Sequence, residues 1–562
     1  MKTFVPFLFL VLLPAGVFTQ VAPQKYFVEF TDKYNSIYST TRPREFLSQR
    51  AIDRRQRQGI AVVENDIPVN QNYVTAISQM NVPILTRSKW FNGITIYCLN
   101  PATIDAIRNL TFVKNVSKST SVNYVSVCNS ANKEVPRKAL HEVIEPTRVP
   151  GGWGRPVIKG YNYGPSFRQI HMLMGDSLHR MGYTGAGMVI AVLDAGFSRA
   201  DTLAVFDSLY LNSQVLGTMD FVTPGNNVYH EYEHGMEVLS CMAANWPGVI
   251  IGTAPGASFW LLRTEDIGSE NIIEEYNWDA AAEFADSTGA DIINSSLGYA
   301  TFDDPTVSHS CSDMNGYTTP VTRAANLAFS KGMIVVNSAG NSLGSGWKCV
   351  SAPADGFGVL AVAAVDSNGT RASFSLPGQA SQRIKPNVAA MGQAVIIASS
   401  NGSFMHGSGT SFSSPILAGL VACLWQASPG WSNAEVIRAV ELSSSHAAHP
   451  DSLLGYGIPD FVKALRIESV PVNSRISDAR VIPNPFSSGF TFRFHSDQDG
   501  LADMYLFDQV GRRVAFMPGQ TVRAGENSLG FNKASLLLPG VYFLKLTGQN
   551  FTTNLQVVKI CR

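Results

Sequence analysis

The stretch Gly409-Thr410-Ser411-Phe412-Ser413-Ser414-Pro415 sets a hydroxyl nucleophile where a glycine-led turn enters an apolar helical pattern carried by Ile416, Leu417, Leu420, Val421 and Leu424. A serine at a helix start gains a backbone N–H and a partial positive charge, both suited to an oxyanion formed beside it. Pro415 is expected in the first turn, where its missing N–H costs nothing. A hydroxyl needs a base to take its proton and an acid to orient that base. Upstream, Met188 to Leu193 reads as a strand buried on both faces that ends at Asp194-Ala195-Gly196. His234-Gly235 opens a second helical segment through Met236, Val238, Leu239 and Met242. Met333 to Val336 reads as another buried strand, running into Asn337-Ser338-Ala339-Gly340-Asn341, and the Asn341 amide suits an oxyanion hole completed by the Ser411 N–H. Singly, each motif is a turn, cap or loop. Jointly they fall at predicted strand ends and helix starts, where open α/β sheets place their crevices.

Asp194, His234 and Ser411 follow one another in the order that subtilisin uses. From about Tyr163 to Leu465 the chain resembles the subtilisin-like serine protease (subtilase) family. Further matching pieces are Gly182-Tyr183-Thr184-Gly185-Ala186-Gly187, Asn294-Ser295-Ser296-Leu297-Gly298 and Arg371-Ala372-Ser373-Phe374-Ser375. The resemblance implies a subtilisin-like, doubly wound, mostly parallel sheet and peptide-bond hydrolysis through an acyl-enzyme. Asp194 would orient, His234 act as base and then acid, Ser411 attack and Asn341 stabilise the oxyanion. It also implies that Ser296, Leu297, Gly298, Ser338 and Ser351 bind substrate. The strand at 296–298 would pair with an extended peptide backbone. By the resemblance, Ser351 stands where a glycine is frequent in relatives, which would make the primary specificity pocket shallower and disfavour the largest aromatic side chains. Departures from the family pattern are Ala195 for a Ser or Thr that helps hold the aspartate, Met236 and Glu237 for Thr and His, and Tyr299 for a second glycine.

A length of 562 residues implies about three or four domains. The balance of 43 basic and 43 acidic side chains gives no global drive toward nucleic acid or anionic membranes. Residues 1–19 read as a signal peptide, with Lys2 ahead of an apolar run from Phe4 to Leu13 that is too short to span a bilayer. Residues 20–150 form a small α+β unit with strands at Lys25 to Phe30, Trp90 to Tyr97 and Phe112 to Val116 and a basic helix at Arg44 to Arg57. In the family such a unit is a propeptide, an intramolecular inhibitor and folding assistant. A linker at 151–162, rich in Gly and Pro, is a place for processing, the peptidase domain spans 163–468, and a second linker covers 469–482. From 483 to 562 the pattern is that of a β-sandwich, with Phe490, Phe492 and Phe494 alternating with Thr491 and Arg493. It resembles the C-terminal sorting domain of type IX secretion substrates through Asn484-Pro485, Phe507-Asp508, Gly511-Arg512, Pro539-Gly540-Val541-Tyr542 and Val557-Val558-Lys559. That implies the type IX machinery as partner and a secreted or cell-surface protein with no membrane span once mature.

Of seven cysteines in an exported chain, Cys311 and Cys349 suit a bridge, Cys98 and Cys128 a second one within the propeptide, and Cys241 and Cys423 buried thiols. No CxxC, HExxH or acidic calcium loop occurs, so the chemistry is expected to need no cofactor. The resemblance implies structural calcium, held by scattered loops that the sequence does not single out. The expected function is a secreted serine endopeptidase made as an autoprocessed precursor. The alternative is an inactive surface peptide-binding protein or adhesin on the same fold. Acyl transfer to an amine shares the acyl-enzyme and differs only in its product.

Overall fold

A computed structural model describes residues 24–118, 143–144, 161–342, 346–379, 384–467, 476–496, 500–508, 513–523, 525–532, 537–548 and 552–560. The expected signal peptide, Cys128, residues 151–160 of the first linker and the Gly511-Arg512 pair lie outside these residues.

The N-terminal unit is an antiparallel sheet of β1 (Lys25–Phe30), β2 (Ile84–Ser88), β3 (Gly93–Tyr97) and β4 (Val113–Lys118) in the order β2-β3-β1-β4, with helices α1 (Gln49–Arg57), α2 (Gln71–Ser78) and α3 (Pro101–Arg108). Ser48, Asn70 and Asn100 cap the three helices with side-chain acceptors, which is why each starts where it does. Among the described residues Cys98 is a buried free thiol that donates to Asn100 O, and its expected partner Cys128 lies outside them.

The central domain is built on seven strands, β5 (Val189–Asp194), β6 (Val215–Asp220), β7 (Ser258–Arg263), β8 (Ile292–Ser295), β9 (Ile334–Ser338), β10 (Val359–Val365) and β11 (Val388–Met391). Their order is β11-β10-β9-β8-β5-β7-β6 and every pairing is parallel. Parallel strands require crossovers that cover both faces, so most of these strands carry apolar runs buried on both sides. The covering helices are α4 (His234–Ala243), α5 (Ile273–Thr288), α6 (Pro320–Ser330) and α7 (Thr410–Ala427). From β5 the chain builds outward to β7 and β6 on one side, then crosses through α5 to β8 on the other. The order therefore reverses between β5 and β8, and a crevice opens at their carboxyl ends. Cys311 and Cys349 are joined, as expected.

The C-terminal unit packs two antiparallel sheets. One contains β12 (Ile476–Ile482), β13 (Phe490–Ser496) and β16 (Gly525–Phe531). The other contains β14 (Gly500–Asp508), β15 (Arg513–Val522), β17 (Gly540–Gly548) and β18 (Thr552–Lys559). Phe490, Phe492 and Phe494 enter its core while Arg493 is exposed. The strand β12 falls within the 469–482 linker expected from sequence: the unit begins before Pro483 because β13 needs a partner on that edge.

Candidate active site

Asp194 ends β5 and is fully buried. One of its carboxylate oxygens, Oδ1, accepts from the Ala195 N–H at 2.8 Å and from His234 Nδ1 at 2.7 Å. His234 is the first residue of α4, so helix packing fixes the ring while leaving about a quarter of the side chain exposed. The other ring nitrogen, Nε2, is left for chemistry. The Phe412 ring, adjacent to Ser411 in sequence, has its centroid 6.2 Å from the imidazole.

Ser411 is the second residue of α7, so its N–H belongs to the group at the helix start that has no intrahelical acceptor. Pro415 lies in the second turn, and not in the first as the sequence led us to expect. Its consequence is local: a proline there has no N–H to give to the Ser411 carbonyl, and that carbonyl accepts instead from Ser296 Oγ at 2.8 Å. The Ser411 hydroxyl in turn faces Ser296 O at 3.4 Å and is not bonded to His234, a looseness common in sites without substrate.

Asn341 follows β9 and reaches the same point. Its Oδ1 accepts from the Thr410 N–H and the Thr410 hydroxyl, both at 2.9 Å, while the Thr410 hydroxyl accepts from the Gly340 N–H. With its oxygen so held, Asn341 turns Nδ2 toward Gly409, 3.6 Å from where a Cβ would stand. Thr410 was missed as a functional residue, although it sits inside the Gly-Thr-Ser motif.

The residues expected to bind substrate divide into two groups. Gly298 is exposed, and among the described residues Leu297 N–H and the Gly298 N–H and C=O have no hydrogen-bond partner, which leaves an open strand edge. Ser351 is buried against that edge, its Cβ 2.9 Å from a Cβ placed on Gly298 and its Oγ 2.8 Å from one placed on Gly340. Ser296 and Ser338, by contrast, spend their hydroxyls inside the protein, on Ser411 O and Leu297 O. They hold the Ser411 backbone and the edge. Tyr299 turns away from the edge, giving its hydroxyl to Glu265 at 2.5 Å. Among the described residues no group of three His, Cys, Asp or Glu side chains is arranged to hold a metal ion.

Residues 185–457 match the Subtilase family and residues 25–137 match the peptidase S8 propeptide domain of Bacteroidota. Subtilisin from Bacillus pumilus is 30% identical over 282 residues, 49% of this chain and 90% of its own length. The chain belongs to the subtilase family. Subtilisin E of Bacillus subtilis is 31% identical over 282 residues, and this subtilase spans 65% of its length. The solved structure of MycP1 from Mycobacterium smegmatis aligns with a TM-score of 0.42 at 22% identity, covering 56% of this chain and 90% of that one.

The departures from the family pattern acquire physical meaning here. Asp194 Oδ2 is buried with no hydrogen-bond partner, as the absence of a hydroxyl at Ala195 anticipates. Burial disfavours the charged form of His234, but the Asp194 carboxylate, its hydrogen bond and Glu237 outweigh this and raise the imidazole pKa to about 9. A histidine raised on folding stabilises the protein below its unfolded value of about 6.5, and that stability is lost as the pH climbs through about 9. A neutral base behaves oppositely. The rate of Ser411 labelling by a fluorophosphonate is therefore expected to increase with pH up to about 9. Glu237→Gln should move that limb to lower pH, and an unmoved limb would show that Glu237 does not act on the ring. Ala195→Ser should supply the missing donor to Asp194 and stabilise the protein by about 1 kcal/mol in urea unfolding.

Proposed function

We propose that this subtilase is an exported serine endopeptidase that hydrolyses peptide bonds through an acyl-enzyme on Ser411. The observation that carries the reading is the 2.7 Å bond from His234 to a buried Asp194, set beside a serine at a helix start and an anchored amide. Asp194 holds the Nδ1 proton and leaves Nε2 as acceptor, so His234 takes the Ser411 proton as Oγ attacks the carbonyl carbon. The negative charge on the carbonyl oxygen is met by the Ser411 N–H and Asn341 Nδ2. The imidazolium then protonates the leaving amine, and water, deprotonated by the same ring, releases the acyl group. The substrate lies along the open edge at Leu297 and Gly298 by strand addition, its leading side chain entering the pocket that Ser351 narrows.

The protein is made as a precursor, cut after its propeptide near Pro150, and carries in its C-terminal sandwich a type IX sorting signal that directs it to the cell surface or medium. Supporting this are the motif series in the tail and the antiparallel sandwich that it folds into. Among the described residues no helix is long and apolar enough to cross a membrane.

Ser411→Ala is expected to abolish fluorophosphonate labelling, self-cleavage and casein hydrolysis together, and Asn341→Ala to lower kcat by about 10²- to 10³-fold. A folded, processed wild type that neither labels nor cuts would leave a binding protein as the reading. Ser351→Gly should deepen the pocket and raise kcat/KM for peptides with Phe or Tyr before the cut by about tenfold relative to Ala.

A further inference from the structure

A carboxyl group with one oxygen unused stands beside the crevice. Glu265 lies just past the end of β7, and the register of that strand sets Arg263 opposite Asp194, with the Thr264 N–H donating to Asp194 O at 2.9 Å. Its Oε1 accepts from the Tyr299 hydroxyl at 2.5 Å and from the Thr264 hydroxyl at 2.8 Å. Its Oε2 has no hydrogen-bond partner among the described residues and is open to solvent. The charges around it are committed elsewhere. Arg263 gives its guanidinium to Ala195 O at 3.1 Å, to Asp220 at 2.9 Å and to Glu231 at 3.4 Å. Asp266 and Glu274 are spent on backbone N–H groups of the same loop, at 2.8–3.1 Å. Burial, with the negative charges of Glu270 and Asp194, holds the Glu265 carboxyl above the ordinary carboxylate range against the pull of the two hydroxyls. Among the described residues no Lys, Arg or His pairs with it, so a cation arriving from outside would supply the charge that is missing.

The open strand edge decides which side chain of a bound peptide would bring it. Gly298 leaves both its N–H and its C=O unpaired, as a residue awaiting a hydrogen-bonded antiparallel partner does. Residues opposite one another in such a ladder project to the same face, and successive residues to opposite faces. On the Gly298 face the neighbour is Ser351, whose Cβ stands 2.9 Å from a Cβ placed on Gly298. On the Tyr299 face the neighbour is Glu265. The order of the sheet accounts for the split, since Gly340 and Ser351 lie on the β9 side of β8 and Glu265 on the side of β5 and β7. The Ser411 hydroxyl faces Ser296 O, which fixes the register of the peptide. An antiparallel peptide whose first residue before the cut lies opposite Ser296 sets its third opposite Gly298 and its fourth opposite Tyr299. The first and third side chains then turn to the Ser351 side, and the fourth turns to Glu265.

We propose that Glu265 is a specificity-determining residue of this subtilase, selecting a cationic side chain, arginine or lysine, at the fourth residue before the cut. The inference deepens the endopeptidase reading and rests on it. A guanidinium or ammonium reaching Oε2 makes a charge-assisted hydrogen bond, which in partly enclosed surroundings is stronger than the same contact in water. The proposal also gives a use to Tyr299, a departure from the family pattern: its hydroxyl occupies Oε1 and leaves Oε2 to the peptide.

The test compares acetylated peptides on the purified, processed chain, with arginine or its uncharged isostere citrulline at the fourth position before the cut. The same exchange at the third position, which faces away from Glu265, serves as control. At the fourth position kcat/KM is expected to favour arginine by about tenfold, and at the third the two peptides should be nearly equal. Glu265→Gln keeps an acceptor for Tyr299 and Thr264 and removes the charge, so it should bring the fourth-position ratio close to one. A wild-type ratio near one, an equal ratio at the third position, or a ratio that Glu265→Gln leaves unaltered overturns the proposal. If the variant does not fold, the two wild-type ratios decide. Peptides that end at the residue before the cut, titrated into the same protein by calorimetry, give the ratio as Kd values without any chemistry. A tenfold Kd ratio in a chain that neither labels with a fluorophosphonate nor cuts would sink the endopeptidase reading and uphold selection by Glu265. Equal Kd values in such a chain would overturn both.

Discussion

A parallel sheet buried on both faces constrains everything else in this subtilase. Its strands run the same way, so all their carboxyl ends arrive at one edge, and the reversal of strand order between β5 and β8 opens that edge to a ligand. Asp194 closes β5, Ser296 follows β8, and Asn341 follows β9. Three residues spread over more than a hundred positions therefore meet because of strand direction, and only the histidine and the serine need helices to bring them in.

Helix ends do complementary work at the two edges of the sheet. At the crevice, the start of α7 offers the Ser411 N–H, which has no acceptor among the described residues and suits negative charge. At the opposite edge, the carbonyls just past α5 and α6 are met by arginine and glutamine side chains of the propeptide. The same backbone polarity thus faces the crevice at one edge and the propeptide unit at the other. Burial sharpens both: Asp194 and Asp286 are fully enclosed, and each is held by the cations or donors around it.

The site is more economical than its motif suggests. Pro415 frees a carbonyl that Ser296 then uses to pin the helix carrying Ser411, and Thr410 occupies the Asn341 oxygen so that the nitrogen faces outward. Neither arrangement needs a residue outside the motifs. By contrast, Ala195 leaves an enclosed carboxylate oxygen without a partner, and Glu237 adds negative charge near the imidazole. The result is a ring that favours its proton more than an isolated histidine does.

The sequence alone determined the α/β class, the candidate catalytic group and the alternation of the tail, because periodicity and short turn motifs are local properties. Asp194, His234, Asn341 and Ser411 stood out since each falls at a strand end or helix start that hydrophobic patterning marks. The roles of Ser296, Ser338 and Thr410 were decided only by tertiary structure, because a hydroxyl's partner lies across the fold and no spacing encodes it. The thiol state of Cys98, the extra strand β12 and the placement of Pro415 in the second turn likewise became visible only in the folded chain. Most of all, the charges of α1 read as an ordinary basic helix until α5 and α6 are seen beneath them. A carboxylate and an arginine more than two hundred residues apart become one buried pair only when the chain has folded and water has been excluded from between them.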